Sequence, residues 1–246
     1  MPIPAGWPLF VVAAVPPPGG FVLDGPEGRH AATVRRLRVG ERLALTDGAG
    51  RWASSTVSGV GRGELTLDVG ATMTDPLPSP LVTVVQALPK GERSELAVDL
   101  ATEAGADAIV PWAAERCVAK WVGDKSQRGV DRWRQVATEA AKQSRRTRFP
   151  RVAALHSTRE LVELIAAAPL AIVLHEAEPT PLTAVDLSGA ELVLVVGPEG
   201  GISAAELTEL TAAGAIPVRL GPEVLRTSTA AAVALGAIGV RTARWR

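Results

Sequence analysis

The sequence predicts a small, mostly β domain followed by a larger α/β domain with a parallel sheet. Within the first 75 residues, short runs alternate apolar and polar side chains and are separated by glycines, which is typical of half-buried strands. Beyond residue 80, apolar runs alternate with helical patterns, as they do in parallel α/β folds. A length of 246 residues also suits one or two domains.

The β domain is predicted over residues 1–75. Its candidate strands lie at residues 8–12, 42–46, 51–57 and 64–69. Short strands joined by glycine-rich turns favour a small barrel. Pro76, Pro78 and Pro80 exclude a helix or a central strand at residues 76–80, so this stretch is the predicted linker.

The α/β domain is predicted over residues 81–246. Its candidate strands lie at residues 82–88, 108–111, 152–155, 171–175, 192–196 and 217–220. Two helices begin with recognisable capping boxes, one formed by Ser157 and Glu160 and the other by Ser203 and Glu206. The expected architecture is therefore a parallel sheet with helices between its strands.

The charge is unevenly distributed, although 26 basic and 26 acidic residues give a net charge of zero. Residues 116–151 contain 11 basic and three acidic side chains. The predicted helix in this stretch has a stripe of apolar residues and a set of basic ones. The stripe is Val130, Trp133, Ala137, Ala140 and Ala141, and the basic set is Arg132, Arg134, Lys142, Arg145 and Arg146. Two interpretations stay open, a solvated helix face and a surface that binds a phosphate backbone.

Several classes of protein are disfavoured by composition. The single cysteine, Cys117, excludes an internal disulfide framework and a cysteine-cluster zinc site, and no metal is expected. The first 15 residues contain an apolar run but no basic residue before it, unlike a signal peptide. The longest other apolar stretch, residues 229–240, is about half of the roughly 20 residues that a membrane span needs. We therefore expect a cytoplasmic protein without membrane contact.

Three loops are the best candidates for chemistry. In the first, the predicted strand at 192–196 runs into a turn with Gly197, Gly200 and Gly201 and then into a capped helix. Glycines allow a ligand to approach the backbone, and a helix N-terminus offers free N–H groups, although a tight structural turn has the same pattern. The other loops follow the strands that end at His175 and Leu220. All three are expected at the carboxyl ends of parallel strands, where ligands bind in open α/β sheets.

The first and third loops carry a family resemblance. Residues 197–201 read Gly-Pro-Glu-Gly-Gly, and residues 220–230 contain Leu-Gly followed by Val-Leu-Arg-Thr and Thr-Ala. They resemble the SPOUT class of S-adenosylmethionine-dependent RNA methyltransferases, and more narrowly the RsmE family, which methylates N3 of a uridine in 16S ribosomal RNA. Further matching segments lie at residues 29–30, 34–40, 89–93, 102–105, 115–117 and 139–146.

The resemblance implies a PUA-like RNA-binding barrel at the N-terminus and a SPOUT methyltransferase domain with a C-terminal trefoil knot. It also implies a homodimer, S-adenosylmethionine as cofactor and 16S ribosomal RNA of the small subunit as substrate. Pattern reasoning alone predicts no knot, because knots are almost absent from folds. The sequence departs from the family at Ser228, where Glu is common, and at Leu100, where Lys is usual.

The loop chemistry, the charge pattern and the resemblance together indicate three groups of candidate residues. The catalytic candidates are Arg226, as a cation for the uracil anion or a phosphate, and Glu199, as a proton acceptor or a partner of the sulfonium. The alternative for Glu199 is charge complementarity at a helix N-terminus, and for Arg226 a plain surface position. The cofactor-binding candidates are Leu174, His175, Glu176, Val196, Gly197, Pro198, Glu199, Gly200, Gly201, Leu220, Gly221, Leu225, Thr229 and Ala230. The RNA-binding candidates are His30, Arg35, Arg36, Arg38, Arg116, Arg145 and Arg146.

Two other functions compete with the enzyme. A noncatalytic RNA-binding protein that kept the fold and lost the cofactor is favoured by Ser228 and Leu100. A nucleotide-dependent oxidoreductase needs a dinucleotide fingerprint that the glycine turn does not match. With no tyrosine and three phenylalanines, aromatic platforms for single-stranded RNA are scarce, so backbone contacts and shape are expected to dominate recognition.

Overall fold

The structure is a computed structural model and describes residues 3–245. The chain forms two compact units. The first comprises Met1–Leu77 and Ala141–Phe149, and the second comprises Pro78–Ala140 and Pro150–Arg246. The sequence prediction did not include the segment Ala141–Phe149 in the first unit.

The first unit is built on one five-stranded sheet. Its strands are β1 (Leu9–Val11), β2 (Gly19–Leu23), β3 (Arg42–Thr46), β4 (Arg51–Val60) and β5 (Leu65–Thr74). Their order is β1-β3-β4-β5-β2, with β1 parallel to β3 and the other pairs antiparallel. The predicted small β domain is confirmed, although β2 was not predicted, because it opens with two glycines and shows little alternation.

A short helical segment between β2 and β3 was also not predicted. Helix α1 (Gly25–Arg29) continues directly into a π-helical turn, His30–Val34. Pro26 suits the first turn of a helix, where its missing N–H costs nothing. Gly28 is required by packing, because a Cβ there would lie 2.3 Å from the backbone oxygen of Leu23. Only five helical residues precede the π turn, which is too few for a periodic signal.

The segment Ala141–Phe149 is held in the first unit by hydrogen bonds to the turn around Gly48 and to Asp75. The Thr147 hydroxyl donates to Oδ2 of Asp75 at 2.6 Å, and Phe149 N donates to Gly48 O at 2.8 Å. The Arg148 guanidinium donates to the backbone oxygens of Ala49 and Asp75 at 2.6 and 2.7 Å. Arg148, part of the basic stretch, is thus a structural residue.

The second unit contains a six-stranded parallel sheet with helices between its strands. Its elements are β6 (Leu81–Ala87), α2 (Arg93–Glu103), β7 (Ala108–Trp112), α3 (Asp124–Gln143), β8 (Arg151–Val152), α4 (Thr158–Ala167), β9 (Ala171–Leu174), β10 (Glu191–Val196), α5 (Ala204–Ala212), β11 (Ile216–Val218) and α6 (Thr227–Arg241). The last three residues of α3 count with the first unit. The strand order is β11-β9-β10-β6-β7-β8, and every pair is parallel.

Local sequence explains most of these elements. Strand β10 is apolar and buried from Leu192 to Val196, as a central strand covered on both faces should be. Both predicted capping boxes form, at the starts of α4 and α5. The predicted stripe of α3 is buried along its length. Strand β8 ends at Val152, three residues short of the prediction, and lies at the sheet edge with one neighbouring strand.

The end of the described chain is anchored in the second unit by a buried ion pair. The Arg244 guanidinium donates to Oδ2 of Asp107 at 2.7 Å and to the backbone oxygens of Pro80 and Gly105. The two charged side chains are 5% and 14% exposed. Asp107 Oδ2 also accepts from Val82 N at 2.8 Å, so the pair fixes the start of β6 as well.

Candidate active site

One cleft lies where three strands of the second unit end. Strands β11, β9 and β10 are neighbours and parallel, so the loops after them lie at the same edge of the sheet. The cleft has a volume of about 310 Å³ and is lined by residues of all three loops. The three candidate loops therefore converge, as expected from the carboxyl ends of parallel strands.

The glycine turn after β10 shapes one wall of the cleft. Gly197 packs so tightly that a Cβ there would lie 2.7 Å from Cγ1 of Ile202. Gly201 adopts a φ of +72°, which favours glycine, and has open space where a Cβ would lie. Gly200 faces Arg116, whose Cβ and backbone oxygen would both lie 3.2 Å from an added Cβ. Gly197 and Gly200 thus pack closely against Ile202 and Arg116, and Gly201 leaves backbone accessible.

A hydrogen-bonded chain of residues fixes the third loop relative to the glycine turn. The Thr227 hydroxyl donates to Gly197 O at 2.6 Å and accepts from Nε2 of Gln86 at 3.0 Å. Gln86 and Thr227 are both buried. Arg226 is the residue before α6 and makes no capping hydrogen bond through its side chain. Thr227 therefore holds the start of α6, and with it Arg226, at the cleft.

Twelve of the fourteen cofactor-binding candidates line this cleft, together with both catalytic candidates, Glu199 and Arg226. The twelve are Leu174, His175, Glu176, Val196, Gly197, Pro198, Glu199, Gly201, Leu220, Gly221, Leu225 and Ala230. Gly200 and Thr229 are not among the lining residues. Gly200 packs on Arg116 instead, and the Thr229 hydroxyl donates to Arg226 O at 3.1 Å. The role of each residue stays a prediction.

Sequence reasoning missed six further residues that line the cleft. They are Arg93, Ile202, Arg219, Glu223, Val224 and Thr227. Arg93 was the hardest to predict. It lies at the start of α2, which follows β6 and not one of the three strands whose loops form the cleft. Its only signal was the segment 89–93, which resembles the family. In the same segment Lys90 N donates to Oε1 of Glu199 at 3.1 Å, which orients this carboxylate.

His175 brings a polar atom to the cleft that has no partner within the described chain. Its backbone N donates to Val218 O at 2.9 Å, which joins the loops after β9 and β11. Its ring atom Nδ1 is buried and makes no hydrogen bond to residues 3–245. A buried polar atom without a partner is costly, so the ring of His175 keeps one unsatisfied hydrogen-bonding position within the described chain.

The two departures from the family lie away from the cleft lining. Ser228 is buried in the first turn of α6, and Leu100 lies half-buried on α2. Neither lines the cleft.

The RNA-binding candidates fall in both units. His30, Arg35, Arg36 and Arg38 are exposed in the first unit, where the His30 ring lies edge-on to Phe10 with the centroids 6.0 Å apart. Arg116 is exposed in the second unit and donates to Gly200 O at 3.3 Å. Arg145 is exposed and adopts a φ of +56°, and Arg146 is half-buried in the same segment.

The basic stretch is a weaker electrostatic surface than its composition predicts. Several of its basic side chains are engaged by carboxylates or backbone oxygens of the described chain. Arg132 pairs with Glu95, Arg134 with Asp131 and Lys142 with Glu27, and Arg148 binds backbone oxygens. Carboxylates beside Arg132, Arg134 and Lys142 therefore offset part of the positive charge of the predicted basic set.

Cys117 is buried, and burial raises the pKa of its thiol, which suits a packing residue. No group of three or more potential metal ligands occurs among residues 3–245. In the same range, every helix is too short or too polar to cross a lipid bilayer.

Known families and structures match both parts of the chain. The family described as RNA methyltransferase domain matches residues 76–239, and the RNA methyltransferase PUA domain matches residues 23–70. Ribosomal RNA small subunit methyltransferase E of Mycobacterium bovis is 56% identical over 96% of this chain and 93% of its own length. The Bacillus subtilis protein of the same name is 32% identical over 90% of both.

Two solved structures agree along nearly the whole chain. The putative methyltransferase Lpg2936 from Legionella pneumophila, with bound SAM, has a TM-score of 0.85 and 27% identity over 96% of this chain and 98% of that one. Ribosomal RNA small subunit methyltransferase E from Neisseria gonorrhoeae, bound to S-adenosyl methionine, has a TM-score of 0.83 and 25% identity with the same coverage. This chain belongs to the RsmE family of ribosomal RNA small subunit methyltransferases.

Proposed function

We propose that this protein transfers a methyl group from S-adenosylmethionine to N3 of a specific uridine in 16S ribosomal RNA. The observation that supports this most is the convergence of three loops, distant in sequence, on one cleft beside Arg226 and Glu199. Homodimerisation and a trefoil knot in the C-terminal part belong to the same proposal, because the family resemblance implies them. The cytoplasmic location expected from the sequence composition belongs to it as well.

The cleft fits a nucleoside-containing cofactor. Gly201 exposes backbone, and the buried Nδ1 of His175 lacks a partner among the described residues. The apolar side chains that would enclose the adenine are Leu220 and Leu225. The backbone groups that would hold the rest are those of Leu174, Val196, Gly197, Gly201 and Leu220. When bound, S-adenosylmethionine supplies an electrophilic methyl group on a sulfonium centre.

The remaining chemistry falls to Arg226 and Glu199. Uridine N3 is weakly acidic and must lose its proton before it attacks, so a nearby cation that stabilises the uracil anion lowers the barrier. Arg226 is exposed at the cleft and can donate to a uracil carbonyl oxygen. Glu199 is held through Oε1 by Lys90 N, so the carboxylate is oriented to accept the proton. Alignment of the reactants then supplies much of the rate.

The first unit is the proposed RNA-binding surface. A groove of about 630 Å³ is lined by Trp7, Arg35 and Arg42, and the Arg42 guanidinium lies 5.6 Å from the centre of the Trp7 ring. Arg36 and Arg38 are exposed close to it in sequence. Guanidinium groups bind phosphates and also stack on unpaired bases, so this surface suits a single-stranded RNA segment.

Replacing Arg35, Arg36 and Arg38 together by Gln is expected to weaken RNA binding without changing cofactor affinity. Loss of three phosphate contacts should reduce the slope of log K against log salt by about 2 to 3. Binding of an rRNA fragment measured at several salt concentrations tests this. The control is Arg159→Gln, an exposed arginine of the second unit paired with Glu163. A slope equal to that of the control would contradict the assignment.

The proposed reaction is tested by mass spectrometry of 16S ribosomal RNA from a strain lacking the gene. We expect the loss of one methyl group from one uridine, and its return when the gene is restored. Calorimetry with S-adenosylmethionine separates the noncatalytic alternative, because a protein that has lost the cofactor site releases no binding heat.

A further inference from the structure

Two helices of the second unit begin with the same capping box, but the two glutamates have different surroundings. Glu160, at the start of α4, is exposed, and its side chain accepts hydrogen bonds from the backbone N and the hydroxyl of Ser157, both at 2.7 Å. Glu206, at the start of α5, is only 5% exposed. Its Oε2 accepts from Ser203 N at 3.2 Å, as capping requires. Its other oxygen has partners outside the capping box.

Oε1 of Glu206 joins two further segments of the chain. It accepts from Glu115 N, after β7, at 2.8 Å, and from the Thr158 hydroxyl, at the start of α4, at 3.0 Å. The same hydroxyl accepts from the indole N–H of Trp112 at 3.2 Å. Because an indole N–H can only donate, the hydroxyl proton is available for Glu206. Three donors therefore converge on one buried carboxylate.

This convergence explains why an acid, and not an amide, occupies the position. A glutamine offers one acceptor oxygen and one NH₂ group in place of two acceptor oxygens. In either orientation, its NH₂ group would face a backbone N–H, that of Ser203 or that of Glu115. Replacing Glu206 by Gln thus leaves a buried donor without a partner while keeping the size of the side chain.

The segment held by Glu206 packs against the cofactor turn. Glu115 is followed by Arg116, whose guanidinium donates to Gly200 O at 3.3 Å. The Cβ and backbone oxygen of Arg116 also pack on Gly200, and both would lie 3.2 Å from a Cβ added there. The next residue, Gly201, lines the cleft. Glu206 therefore binds this turn from both sides, through Ser203 at its end and through the Arg116 segment.

We propose that Glu206 is a positioning residue that holds the glycine turn and the Arg116 segment in one arrangement. The inference rests on the proposed function, in which the turn binds the cofactor and Arg116 contacts RNA. Both binding surfaces then depend on one carboxylate that touches neither ligand. The exposed Glu160, which has the same capping role and whose carboxylate forms hydrogen bonds to Ser157 alone among the described residues, is the matched control.

Hydrogen exchange and calorimetry on Glu206→Gln and Glu160→Gln test this. In Glu206→Gln, the amide of Glu115 or of Ser203, whichever the new NH₂ group faces, is expected to exchange at least about tenfold faster, and the Kd for S-adenosylmethionine to rise by about tenfold, because the turn loses a fixed neighbour. In Glu160→Gln, both quantities should stay within about twofold of the wild type, since only a cap is weakened. Unchanged exchange and affinity in a folded Glu206→Gln would overturn the proposal, as would an equal effect in Glu160→Gln.

A second pair of variants covers the case in which Glu206→Gln does not fold. Thr158→Val removes one of the three donors and should raise the Kd by about threefold, while Thr158→Ser should restore it. No recovery in Thr158→Ser, or no loss in Thr158→Val, would then count against the inference. Exchange of the Glu115 amide needs no cofactor. An absence of binding heat in the wild type would therefore contradict the proposed function and leave the exchange test of Glu206 intact.

Discussion

Arg226→Ala is expected to lower kcat/KM for methyl transfer by about 10² to 10³, the usual cost of removing one donor that stabilises charge in the transition state. The Kd for S-adenosylmethionine should stay within about twofold of the wild type, because Thr227 and Gln86, not the arginine side chain, hold the start of α6. Single-turnover kinetics and calorimetry measure the two quantities.

The position of Arg226 strengthens this expectation. It occupies the cap position of α6 and makes no capping hydrogen bond, and its positive charge opposes the helix dipole. Arg226→Ser should therefore stabilise the fold by about 1 kcal/mol while abolishing most activity. The control is Arg159→Gln, because Arg159 is exposed and does not line the cleft. If Arg226→Ala keeps wild-type turnover, the arginine has no role in the reaction.

Arg244→Met is expected to destabilise the second unit by about 3 to 5 kcal/mol, because it leaves the buried carboxylate of Asp107 without its countercharge. Urea unfolding followed by tryptophan fluorescence measures the loss. Replacing both partners, as in Arg244→Met with Asp107→Asn, should cost less than the sum of the single changes, since no uncompensated charge is left.

An exposed ion pair of the same unit provides the comparison. Arg159 and Glu163 lie one helical turn apart on α4, with side chains 90% and 67% exposed. Arg159→Ala should change the free energy of unfolding by no more than about 0.5 kcal/mol. If Arg244→Met also changed the free energy of unfolding by no more than about 0.5 kcal/mol, the three hydrogen bonds of the Arg244 guanidinium would contribute little to stability.

Local features of the site could be predicted from the sequence, and distant contacts could not. The glycine turn, both capping boxes and the buried strand before the turn each depend on residues within a few positions of one another. The extra partners of Glu206 lie 91 and 48 residues away, at Glu115 and Thr158, and no spacing rule connects them. Arg93 reaches the cleft in the same way, through the sheet order and not through its neighbours.

The basic stretch shows the same limit. Its composition indicates a local excess of positive charge, but charges alone do not reveal which carboxylates fold against them. Glu95 and Glu27 lie outside the stretch in sequence and pair with Arg132 and Lys142 in the folded protein. The knot and the dimer implied by the family have no local signature at all, and both stay predictions.

The segment Ala141–Phe149 determines when the first unit can complete its folding during synthesis. Residues up to Leu77 leave the ribosome first, yet the hydrogen bonds from Thr147 to Asp75 and from Phe149 to Gly48 can form only after Phe149 has been added. At translation rates of about 5 to 20 residues per second, the N-terminal unit waits roughly 4 to 14 seconds in an incomplete state. In the nascent chain, then, the first unit cannot finish folding before residues 78–140 of the second unit have been translated.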